Sequence, residues 1–228
     1  MRHAAPHFPP AALTFLRALK RNNNREWFRE RKSQYETLLK APLEAIVTQL
    51  DHDFRAFAPE LVASPRVSIF RIYRDTRFSE DKSPYKTNVA AVFPQRGLPR
   101  HAGAGLYLEV SPRGTMFGGG IWAPSTAELR AIRAHLAHNL RRFRAIVESP
   151  AFKRIAGPVE GERLQRMPHG FPADHPAGEY LKLKQFLAGA EHPTSLAGSP
   201  QFYPTLLKTF RCLAPFVRFL NESLGHRP

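Results

Sequence analysis

Apolar side chains in the first quarter of the chain recur every three to four residues, the spacing of one helix face. After a loose N-terminal arm over residues 1–8, Leu13, Phe15, Leu16 and Leu19 predict a short helix that ends at Asn22-Asn23-Asn24. Asn24 is a good N-cap for a second helix, because its side-chain oxygen can accept from a free amide of the first turn. Trp27, Phe28, Arg31, Tyr35, Leu38 and Leu39 form the stripe of that helix. Pro42 suits the first turn of a third, over 43–57, which buries Ile46, Val47, Leu50 and Phe54.

Near residue 66 the period changes from about 3.6 to 2. From Val67 to Phe78, one face reads Val67, Ile69, Arg71, Tyr73, Asp75, Arg77 and the other Ser68, Phe70, Ile72, Arg74, Thr76, Phe78, the alternation of a strand. A polar loop over 79–85 follows, then a strand at 88–93 and a Gly/Pro/Arg-rich loop at 94–104. Residues 105–111 and 115–122 flank Pro112-Arg113-Gly114 as a hairpin. Short links between successive strands favour an antiparallel sheet.

Helix returns with the capping box Ser125-Thr126-Ala127-Glu128 and the stripe Leu129, Ile132, Leu136, Leu140, Phe143, Val147. Ser149-Pro150 opens a short helix, Asp174 is read as the cap of another reaching Leu187, and 189–200 reads as a loop. A last helix spans about 201–224, with Pro204 and Pro215 inside it. Helices, then strands, then helices describe an α+β fold: N-terminal helices, a central antiparallel sheet of about four or more strands, and C-terminal helices packed on it. Residues 9–226 are expected to form a single domain.

Composition narrows the function classes. With 43% hydrophobic and 23% charged residues, the chain is neither disordered nor collagenous. A lone cysteine, Cys212, excludes an internal disulfide and a multi-cysteine zinc site. No apolar run is long enough to span a bilayer, so no membrane partner is expected and a cytoplasmic location is. The formal charge is +15, from 34 basic and 19 acidic residues spread along the chain. Such a charge attracts anions, whether small molecules or nucleic acid, without specifying a fold.

The richest chemistry lies in Phe70–Asn88. Arg71, Arg74, Arg77, Lys82 and Lys86 are cations among the anions Asp75, Glu80 and Asp81, with Tyr73 and Tyr85 adding hydroxyls. Guanidinium forks bind phosphate or carboxylate at two points. The same charges could instead pair with one another and stiffen a sheet edge. If the protein is an enzyme, Asp75 or Asp81 is the candidate general base. Asn23, Arg25, Glu26 and Trp27, at a helix start, are further ligand candidates, as is Lys184. Lys182 and Lys184, read as helical, would not share a face.

The segment FRIYRDTRFSEDKSPYKTN closely resembles the signature of the domain-of-unknown-function 2461 family of bacteria and fungi. Asn22–Phe28, Gly118–Trp122, Arg166–Phe171, and His175-Pro176 followed by Leu181–Lys184 match that family in order. The resemblance implies a single-domain protein and assigns no catalytic residue. Glu80 stands where a basic residue is expected in many relatives.

Other schemes find less support. The Gly118–Gly120 run leads into Ile-Trp rather than a helix with Lys-Ser/Thr, so it is not a phosphate-binding loop. Asp75 and Glu80-Asp81-Lys82 fall on one strand and loop, whereas metal-dependent nucleases draw such groups from adjoining strands. His135 and His138 lack a signalled third ligand, and no cofactor or metal is expected. Three functions remain open: recognition of a phosphate-bearing ligand by 71–88, a non-catalytic nucleic-acid module, and an interaction or scaffold domain whose signature serves the fold. Oligomeric state is not legible.

Overall fold

The computed structural model describes residues 5–77, 79–100 and 102–225. It opens with α1 (Ala11–Arg21), α2 (Arg25–Glu30), α3 (Lys32–Tyr35), a π-helical turn (Glu36–Lys40) and α4 (Ala41–Phe57). Asn24 caps α2 by accepting from Trp27 N at 2.9 Å. The wide turn before α4 has a local cause. Pro42 has no amide to donate, and Ala41 N donates to Glu36 O, five residues back.

After α5 (Pro65–Ser68) come β1 (Val89–Phe93), β2 (Gly105–Val110) and β3 (Thr115–Ile121). Then follow α6 (Thr126–His138), α7 (Leu140–Val147), α8 (Pro150–Ala156), α9 (Gly178–Leu181), β4 (Phe186–His192), a 3₁₀ turn (Thr194–Gly198) and α10 (Phe202–Glu222). The strands form one antiparallel sheet in the order β1-β2-β3-β4. The fold is α+β, with helices on both sides of the strand block in sequence.

Strand alternation gives the sheet two unlike faces. Phe93, Leu106, Leu108, Val110, Phe117 and Phe186 are buried. They share a face with Gly119, whose missing side chain lets Val217 of α10 approach. Twelve α10 residues are buried, Phe202, Leu206, Phe210, Leu213 and Val217 among them. The opposite face carries Val92, Tyr107, Glu109, Met116, Gly118, Gly120 and Leu187, and most of these are only half-buried.

Four expectations need correction. The one helix expected to carry the stripe from Trp27 to Leu39 breaks at Arg31 into α2, α3 and the π-helical turn. Residues 67–77 do not form a regular strand, and Phe78, the last of the expected run, lies outside the described residues. Pro65 starts a helical turn, and beyond it the segment pairs only through the bridges Ile69–Ala91 and Tyr73–Tyr85. The side chains of Asp75 and Asp81 take the amides of Arg77 and Ser83, which a ladder would have used. The helix expected over 174–187 shrinks to α9 between turns, and β4 takes its last two residues and the start of the expected 189–200 loop, because the open edge of β3 accepts a strand along its whole length. Lys182 and Lys184 therefore flank Leu183 on chain bridged to Arg163 rather than on a helix. The stripe from Ser125 to Val147 breaks at Asn139, whose side chain bonds His135 O at 2.9 Å.

Candidate functional site

The segment after α5 runs antiparallel to 84–91. Phe70 N donates to Ala90 O at 3.0 Å, Lys86 N to Ile72 O at 2.8 Å and Arg74 N to Pro84 O at 2.9 Å. Period-2 alternation survives without a full ladder: Ile72 is buried, while Arg71, Tyr73, Asp75 and Arg77 are exposed.

Much of the signature closes on itself. Arg77 forks onto Asp75 through Nε at 3.0 Å and Nη2 at 2.7 Å. Arg74 pairs with Asp81, which also accepts from Ser83 N at 2.9 Å. Lys82 Nζ donates to Thr76 O at 3.1 Å. Hydrogen bonds hold both carboxyls well below the usual range, at about 2: Arg77 acts on Asp75, and Ser83, then Arg74, on Asp81. A carboxylate that reluctant to take a proton is a weak general base at neutral pH.

Tyr85 is buried, stacked on Phe28 with centroids 4.0 Å apart and beside Tyr73 at 5.4 Å. Burial, then Tyr73, pushes its hydroxyl pKa up. Asn23 brackets it: Asn23 Nδ2 donates to Tyr85 O at 2.9 Å, and Tyr85 N donates to Asn23 Oδ1 at 3.0 Å. Arg25 and Glu26 are exposed, and Trp27 packs against Phe15 beneath Arg31. Lys184 lies apart from the signature, paired with Glu162 at 3.3 Å.

Two signature cations are not neutralised in this way. Among the described residues, neither Arg71 nor Lys86 forms an ion pair. Lys86 Nζ sits 4.9 Å from the centroid of Phe70, and the Arg100 guanidinium carbon lies 4.1 Å from the same centroid. Burial, then Arg100 and Arg71, pull the Lys86 pKa down. Burial alone lowers that of Arg100. Arg100 Nη2 donates to Ser68 O at 2.6 Å, whereas its Nε is buried without an acceptor.

Two hollows border this cluster, one reached by Lys86 and the other by Phe70 and Arg100. One, of about 360 Å³, is lined by Lys20, Arg74, Lys86, Asn88, Arg113 and others. The second, of about 670 Å³, lies on the open sheet face between Phe70, Arg100, Tyr107, Gly118 and Trp122. Glu109 lines both, and Tyr107 Oη donates to its Oε2 at 2.7 Å. Burial, then Glu109, pushes the Tyr107 hydroxyl pKa up.

Sequence reasoning missed Arg100, Tyr107, Glu109, Lys20 and Arg113. Tyr107 and Glu109 carried a usable signal, the polar-side alternation of β2. Arg100 carried none, since it sits in an irregular loop. Among the described residues, no group of three or more His, Cys, Asp or Glu is placed to hold a metal ion. Among them too, no helix is long and apolar enough to cross a membrane.

These features define an α+β protein whose antiparallel sheet is packed under a helix on one face and hollowed on the other. The chain belongs to the family described as "Conserved hypothetical protein (DUF2461)", which it matches over residues 11–219. The matched stretch contains every motif that carried the resemblance. No curated protein and no solved structure matches the chain.

Proposed function

We propose that the protein recognises an anionic, phosphate-bearing ligand at Lys86, with Arg100 and Arg71 beside it and Lys20 and Arg113 across the adjoining hollow. One observation carries this reading: a partly buried ammonium shares the Phe70 ring with the Arg100 guanidinium and, among the described residues, forms no ion pair with a carboxylate. Like-charged neighbours that pull down the Lys86 pKa are destabilising when the site is empty, and an arriving anion relieves them. Arg74, Arg77, Lys82, Asp75 and Asp81 belong to the frame that holds this cluster, because their charges are already satisfied by one another or by backbone.

Calorimetric titration with inorganic phosphate and pyrophosphate at low salt tests the reading. Lys86→Gln is expected to weaken binding by about tenfold, as loss of one charge-assisted contact does, without lowering the melting temperature. Arg77→Gln should leave the affinity unchanged. Absence of phosphate and pyrophosphate binding to the wild-type protein removes the proposal. A Lys86→Gln variant that melts earlier, with anion affinity intact, assigns the cluster to the fold instead.

A further inference from the structure

We infer that the ligand is bipartite, a planar aromatic ring joined to its anionic group, with the ring lying on the bare glycine floor of the sheet hollow and the anion at the Phe70 end; this rests on the anion site proposed above. The floor has an unusual surface. Gly105 pairs with Gly120 across β2 and β3, and Gly118 lies opposite Tyr107, so at the three glycines backbone rather than side chain faces the cavity. Phe70, Tyr107 and Trp122 wall it, and Trp122 is 72% exposed at the rim. A hollow of about 670 Å³ falls in the size range of small-ligand sites. Flat peptide below and ring edges at the sides favour a flat guest over a branched one.

Charge fixes the guest's polarity. Glu109 is the one carboxylate among the described residues lining either hollow. It pairs across β1 with Ala90, whose carbonyl takes the Phe70 amide, so it stands on the Phe70 row rather than over Gly105 and Gly120, and one of its oxygens is engaged by Tyr107. Arg100 and Lys86, both seated on the Phe70 ring, outnumber that carboxylate there and attract the anion to the Phe70 end. The ring therefore goes over the glycines and the anion stays by Phe70. The Arg100 Nε, buried without an acceptor, is a donor left for that group.

The probes are 1-naphthyl phosphate, inorganic phosphate and 1-naphthol, titrated calorimetrically into the full chain. Naphthyl phosphate should bind about tenfold or more tighter than phosphate, the gain one stacked ring supplies, and should also exceed naphthol. Trp122→Ala, a change at an exposed side chain, should reduce that advantage by about fivefold and leave phosphate affinity alone. Gly118→Val, which places a branched side chain on the floor, should abolish the advantage in a protein that still binds phosphate. Equal affinity for phosphate and naphthyl phosphate overturns the bipartite ligand while the anion site stands. So does an advantage untouched by Trp122→Ala. Equal affinity for naphthol and naphthyl phosphate, with no phosphate binding, overturns both readings.

Discussion

Asn23 holds both backbone groups of Tyr85, its amide nitrogen donating to the carbonyl and its oxygen accepting from the N–H, across 62 residues of sequence. One side chain thus acts as the neighbouring strand that Tyr85 lacks on that edge. The same device recurs at the far end of the chain. Asn221 Oδ1 accepts from Ala104 N at 2.8 Å, and its Nδ2 donates to Ala104 O at 3.0 Å. There, both residues are buried.

Burial should separate the two brackets energetically. Asn23→Ala leaves two backbone groups that water can partly reach, and is expected to cost about 1–2 kcal/mol. Asn221→Ala strands a buried N–H and carbonyl, and is expected to cost about 2–4 kcal/mol. Urea unfolding of both variants checks the order, and an equal or reversed cost refutes the account.

Gly120 has no room for a side chain. Its φ is +132°, and a Cβ there would lie 1.9 Å from the Phe186 carbonyl oxygen. Gly120→Ala should therefore break β3–β4 pairing at that row and cost at least about 3 kcal/mol. Gly97, with φ +82° and nothing near its would-be Cβ, provides the comparison. Gly97→Ala should cost only the conformational term, about 1 kcal/mol, by the same unfolding measurement.

The acid limb of stability should report on the signature loop. The carboxyls of Asp75 and Asp81 fall from an ordinary 3.8 to about 2 in the folded state. A depressed pKa means the folded form holds the charged group more firmly. Its contribution is complete above the unfolded pKa and is lost as pH drops through the folded one, a window of about pH 4 down to about pH 2. Denaturant midpoints across that window should fall more steeply in the wild-type protein than in an Asp75→Asn/Asp81→Asn double variant. Parallel slopes would mean the two carboxyls do not couple to folding.

Trp122 and Trp27 should be separable by quenching. Trp122 is largely exposed, whereas Trp27 packs on Phe15 under Arg31. Most acrylamide-accessible emission is expected to vanish in Trp122→Phe, and little of it in Trp27→Phe. The reverse result would place the rim of the sheet hollow under cover.

Local pattern made much of this protein legible. The α1 stripe, the Asn24 cap, the Ser125–Glu128 box and the hairpin at Pro112–Gly114 each depend on residues within a few positions of one another, and each forms as expected. Alternation from Arg71 to Arg77 correctly separates buried Ile72 from its exposed neighbours. The pairing of those residues was not legible, since it depends on Asp75 and Asp81 competing for backbone amides. β4 was hidden for a related reason. Phe186-Leu-Ala-Gly-Ala has no strong strand signature, and its conformation is set by the free edge of β3, about seventy residues earlier in the chain.

The candidate site divides along the same line. Its membership list for 71–88 came from the charge pattern, but a charge pattern does not say who pairs with whom. Arg74 and Arg77 found carboxylates within seven residues. Lys86 found none, and met Arg100 on the face of Phe70 because the sheet brings residues 70, 86 and 100 together. Sequence alone determined the helix stripes, the alternating segments and the excess of positive charge, all set by nearest neighbours along the chain. Only the tertiary structure decided which cations stay unneutralised and which sheet face stays open, because both depend on distances between residues that the backbone brings together from far apart.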